Sequence, residues 1–87
     1  MKAKPTTSSA ITIGIDLGDR KHAVCVLDAK GRVIRIETIA NTRAALTALS
    51  RRHRRALVVM EVGTQSPWIS RLFESLGHRV LVANPRK

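Results

Sequence analysis

Apolar and polar positions alternate with period two at the start of the chain. Ile11, Ile13, Ile15 and Leu17 fall on one side; Thr12, Gly14 and Asp16 fall on the other. That alternation predicts a strand over 11–17 with one buried face. Gly18-Asp-Arg-Lys21 reads as a turn into a second strand, His22 to Leu27. Asp28-Ala-Lys-Gly31 has hairpin chemistry, with a glycine near the position that needs positive φ. A third strand follows, with Val33, Arg35, Glu37 and Ile39 alternating against Ile34, Ile36 and Thr38.

The period then changes. Asn41 or Thr42 is a suitable cap for a helix running to about His53, with Ala45, Leu46 and Leu49 apolar. Ala56 to Met60 is apolar throughout, which predicts a central, parallel strand. Ser66-Pro67 predicts a second helix, serine as N-cap and proline at its first position. Trp68, Ile69, Leu72, Phe73 and Leu76 form its apolar stripe, and Gly77 ends it. Val80 to Ala83 is the fifth strand, closed by Asn84-Pro85.

The order is β-β-β-α-β-α-β, which opens a ribonuclease-H-like fold. The fold class is therefore mixed α/β: a five-stranded sheet of strand order 3-2-1-4-5. Parallel crossovers are right-handed. Both connections step the same way, so both helices are expected on one face. The opposite face is left uncovered by this chain, and either further helices or a partner, a second copy among them, is expected to cover it.

Composition narrows the partners. The 87 residues allow one domain, and 44% hydrophobic residues suffice for a core in which aliphatic side chains dominate. Sixteen Lys and Arg stand against six Asp and Glu, a formal charge of +10. Such a surface favours polyanions through phosphate contacts and counterion release, so nucleic acid is the expected partner. Residues 1–9 read as a disordered basic leader and 10–87 as the folded unit. Neither a secretory signal nor a membrane span is visible, which makes the cytoplasm the expected location. Cys25 is the single cysteine, so no internal disulfide forms, and its apolar run predicts a buried, inert thiol.

Two carboxylates carry the candidate chemistry. In the expected strand order Asp16 and Glu61 end adjacent parallel strands, ~4.8 Å apart. A pair of oxygen donors so placed suits one hard divalent cation, Mg²⁺ or Mn²⁺. Each also has a plainer reading: Asp16 satisfying turn amides, Glu61 meeting a helix dipole. Asp28 is a hairpin residue, Glu37 lies on an edge-type strand, and Glu74 lies on a polar helix side. Asp19 is close enough in sequence to approach the site, although turn chemistry is its commoner use.

Arg51, Arg52, Arg54 and Arg55 form the densest basic cluster; they read either as phosphate contacts or as a solvated helix end. Arg20 and Lys21 lie in the turn beside Asp16, and Arg86 and Lys87 follow the fifth strand. His22, His53 and His78 lack zinc-ligand spacing and read as structural.

Several segments together resemble one family. They are Ile13-Gly-Ile-Asp-Leu-Gly18, Asn41-Thr42 before a helix, Met60-Glu-Val-Gly-Thr-Gln-Ser-Pro-Trp68, and Gly77-His-Arg-Val-Leu-Val-Ala-Asn-Pro-Arg-Lys87. They resemble the DEDD-type transposases of the bridge-RNA-guided insertion sequences, relatives of the Piv-type DNA invertases. The resemblance implies a RuvC-like N-terminal domain that cleaves and rejoins DNA with a divalent metal. Asp16 matches the first acidic residue and Glu61 the second. Two further aspartates, and a C-terminal domain with a nucleophilic serine, lie beyond the equivalent of Lys87. The expectation is therefore a truncated, partial domain that is inactive alone, with DNA and a structured guide RNA as partners. Val62-Gly-Thr-Gln-Ser66 departs from the family's usual glycine-rich stretch.

Two other classes remain open at this point. One is a non-enzymatic basic nucleic-acid-binding module or regulator. The other is a fragment of an actin or Hsp70-type ATPase, whose phosphate loop also begins Gly-Ile-Asp-Leu-Gly. Here Asp19-Arg-Lys21 replaces the Ser- or Thr-rich turn that such a loop uses.

Overall fold

The alternating first segment folds as β1 (Thr12–Asp16), which sits at the centre of a five-stranded sheet in a computed structural model describing residues 11–84. The leader at 1–9, and Arg86 and Lys87, lie outside the described residues. β1 pairs antiparallel with β2 (Lys21–Leu27), which pairs antiparallel with β3 (Val33–Ala40). On its other side β1 pairs parallel with β4 (Leu57–Glu61), and β4 with β5 (Val80–Ala83). The order is β3-β2-β1-β4-β5, the one expected from the sequence.

Two helices fill the crossovers, α1 (Arg43–Arg52) and α2 (Ser66–Ser75). Thr42 caps α1, its hydroxyl accepting from Ala45 N at 3.1 Å. The start of α2 differs from expectation. Gln65 occupies the cap position with no side-chain cap bond, and Ser66 already lies inside the helix. Its hydroxyl turns back on the loop instead, accepting from Gly63 N at 3.0 Å and donating to Gly63 O at 2.8 Å. Gly77 ends the α2 turn at φ +97°, where a side chain is disfavoured. The hairpin glycine, Gly31, has φ +80°. Asp28 ties that hairpin by accepting from Lys30 N and Arg32 N.

Period two decides which face is buried. Ile13 and Ile15, Val24 and Val26, and Val58 and Met60 join Leu46 and Leu49 of α1 and Ile69, Leu72 and Phe73 of α2 in one core. Both helices therefore cover the same face. His78 closes the lower end of this layer: its Nδ1–H donates to Ala56 O at 2.8 Å, and its Nε2 accepts from Ser50 Oγ at 2.7 Å. Phe73 meets the His78 ring edge-on.

The other face is bare among the described residues. Register places Leu81, Val59, Gly14, Cys25 and Ile36 side by side in one row across all five strands. This face forms an open hollow of ≈ 560 Å³ with Asp16 and Glu61 in its wall. Cys25 is half-buried there rather than enclosed in the core, because the alternation turns it away from the helices. No described helix is long and apolar enough to cross a membrane.

Candidate functional site

β1 and β4 run parallel in the register Ile15↔Met60, so the next residues, Asp16 and Glu61, are neighbours where both strands end. Both carry their side chains on the bare side of the sheet, since Ile15 and Met60 are buried under the helices. Both are exposed. The two acids also line a second, smaller cleft of ≈ 180 Å³ over the strand ends. Asp19, Thr64 and Gln65 line that cleft too. Among the described residues no three His, Cys, Asp or Glu side chains are grouped so as to hold a metal. The pair is nonetheless a suitable oxygen donor set for Mg²⁺, which takes one or two carboxylates and keeps several waters.

The turn that follows Asp16 is fixed from three directions. A Cβ on Gly18 would collide with the carbonyl oxygen of Lys21, so the tight return into β2 requires glycine. Gly18 N–H donates to Nδ1 of His22 at 3.1 Å. That bond assigns the ring proton to Nε2, which donates to Asn41 Oδ1 at 2.9 Å. Asn41 Nδ2 in turn donates to Asp19 O at 2.9 Å and to Gln65 Oε1 at 3.4 Å. Its backbone N–H donates to Arg20 O at 2.8 Å. Gln65 Oε1 also accepts from Trp68 Nε1 at 2.7 Å.

His22 is fully buried and both of its nitrogens are used. One side chain, Asn41, thus joins the acidic turn to the starts of α1 and α2. In sequence His22 reads only as structural, and Asn41 only as a cap and a motif residue. The fold makes them a clamp on the turn beside Asp16.

The basic residues separate into two groups. Arg20 and Lys21 are exposed on the turn next to Asp16. Arg51, Arg54 and Arg55 lie before β4, at the opposite end of the sheet, about 15 Å of strand from Glu61. Arg52 is not free for phosphate: it donates to Glu37 at 2.7 Å, and Arg35 donates to the same oxygen at 3.1 Å. Burial alone would push the Glu37 carboxyl up, but the two guanidinium groups outweigh it and hold the carboxyl below its ordinary value. Arg55 adopts a left-handed φ of 63° in the turn into β4.

These observations meet a family whose model spans residues 13–87 and is described as a transposase of the DEDD, IS110 type. The chain belongs to the IS110-type DEDD transposase family. The transposase chain is also similar in fold to the RuvC structure of Thermus thermophilus, with a TM-score of 0.61 and 18% sequence identity. That match covers 86% of this chain and 62% of the RuvC chain, so the transposase chain spans less than two thirds of its neighbour. No curated protein matches the chain. The ribonuclease-H-like, RuvC-like fold expected from the sequence is the one observed.

Proposed function

We propose that this transposase domain binds DNA and contributes Asp16 and Glu61 to a divalent-metal site for phosphodiester cleavage and rejoining. The observation that carries the reading is the register of β1 against β4, which makes two distant acids neighbours at one rim of the sheet. When bound there, Mg²⁺ or Mn²⁺ supplies positive charge beside a scissile phosphate. Asp16 and Glu61 would hold the cation; Asp19 lines the same cleft without being grouped with them as a third donor. Arg20 and Lys21 offer phosphate contacts next to the acids. Arg51, Arg54 and Arg55 offer them at the far end; Arg86 and Lys87, outside the described residues, follow β5 in sequence.

Two strand-end carboxylates would hold a cation loosely. The 87 residues alone are therefore proposed to bind DNA or a structured guide RNA without cleaving either. A purely regulatory, nucleic-acid-binding role is a second reading, favoured by the same charge of +10.

Mn²⁺ added to isotopically labelled protein tests the site. Paramagnetic broadening of amide signals is expected to centre on Asp16, Asp19 and Glu61, and to fade in Asp16→Asn with the fold unchanged. Broadening spread evenly over the acidic surface would overturn the metal assignment and leave the regulatory reading.

A further inference from the structure

β3 borders β2 on one side only, and no described strand pairs with its outer edge. The strand is eight residues long. Ile36 is 75% exposed, and Val33 and Ile34 are more than half exposed. Long, apolar edge strands invite pairing with another chain, and soluble proteins usually blunt them with lysine, proline or a covering segment. β3 contains neither lysine nor proline. Its two charges are Arg35 and Glu37, of opposite sign and joined to each other on the helix side.

We infer that this edge pairs antiparallel with the same edge of a second copy of the chain, about a two-fold axis at Ile36. Register selects that centre. A two-fold axis normal to the sheet keeps each face continuous, so the axis must pass through a residue pair of like facing. Centring on Arg35 sets two guanidinium groups opposite each other, and centring on Glu37 sets two carboxylates opposite each other. Like charges directly opposed across strands are destabilising. Centring on Ile36 instead places Arg35 of each copy opposite Glu37 of the other, twice.

The same register sets Ile36 against Ile36 on the bare side. The apolar row Leu81–Val59–Gly14–Cys25–Ile36 then runs on into the second copy without a break. One irregularity interrupts the pairing of β3 with β2: Val26 pairs with Arg35 and Leu27 with Val33, so Ile34 is skipped as a bulge. From Arg35 to Ile39 the strand keeps a regular register with β2, and its outer edge pairs with no described strand.

Sedimentation velocity on the full 87-residue chain tests the pairing, with circular dichroism as the check on folding. Wild type is expected to form dimers. Arg35→Glu and Glu37→Lys are each expected to weaken dimerisation by about tenfold or more, because two attractive pairs become repulsive. An equimolar mixture of the two variants is expected to form heterodimers, since each then presents the complementary charge. Should Glu37→Lys lose the fold along with its ion pair to Arg52, Arg35→Glu and Ile36→Asp decide the question by the same loss of dimer. A wild type that stays monomeric at high concentration overturns the inference. So does a dimer untouched by Arg35→Glu but broken by Val59→Lys, which would put the second copy on the open hollow instead.

Discussion

At the scale of single residues, acid sensitivity has identifiable sources. Burial, with a smaller contribution from the charge of Arg52, holds His53 below its ordinary value of 6.5. Its Nε2 is buried without a partner among the described residues. A histidine that resists protonation in the fold takes up a proton more readily once unfolded. Its contribution is therefore complete above pH 6.5 and is lost as pH falls through the depressed folded value. Glu37 and Asp28 follow the same sign in a lower window. Asp28 is held below its ordinary value of 3.8 chiefly by the backbone hydrogen bond from Arg32. Their contributions are present above the ordinary carboxylate range and lost beneath it. Thermal melts are expected to drop in two stages on acidification. His53→Gln should flatten the upper stage and leave the lower one in place; an unchanged upper stage would show that another group causes it.

At the scale of elements, Asn41 ties together the segments around the candidate site. It joins the β1–β2 turn, through Asp19, Arg20 and His22, to Gln65 at the start of α2. Asn41→Ala leaves buried His22 Nε2–H unpaired, at a cost of about 1–3 kcal/mol. The expected result is a lower melting temperature together with weaker Mn²⁺ broadening at Asp16. Asn41→Asp keeps the acceptor for His22 but sets a carboxylate oxygen against Asp19 O and Gln65 Oε1, and should recover little of the stability. A variant that melts early yet binds Mn²⁺ as before would separate the clamp from the site.

Strand facing was legible in β1, whose polar and apolar side chains alternate, whereas β4, apolar throughout, announced only a central place. The strand order followed from the likeness of the element order to a ribonuclease-H-like fold. The acid pair followed from that order. The clamp was not legible, since the use of His22 depends on Asn41, nineteen positions away. The start of α2 was misplaced for a related reason. Serine before proline signals a cap, but the Ser66 hydroxyl is spent on Gly63, and nothing local to Ser66-Pro67 announces that.

On the scale of the whole molecule, charge is laid out at both ends of the sheet. Arg54 and Arg55 flank the start of β4, and Arg20 and Lys21 flank the end of β1. Replacing Arg54 and Arg55 by alanine is expected to lower the slope of log affinity against log salt by up to about 0.9 for each phosphate left without its arginine. Fluorescence anisotropy with duplex DNA at several salt concentrations measures it, and an unchanged slope would reduce that cluster to a solvated helix end. Mn²⁺ broadening at Asp16 should be indifferent to the same change, because the strand length of β4 lies between.

Among the described residues, Asp16 and Glu61 accept no side-chain hydrogen bond and join no ion pair. Everything that holds the rim in place lies beneath or beside them, in Gly18, His22, Asn41 and the aliphatic layer. Support and chemistry are thus assigned to different atoms. The two carboxylates proposed as ligands can be exchanged, by selection or by an engineer, while the scaffold that presents them keeps its shape.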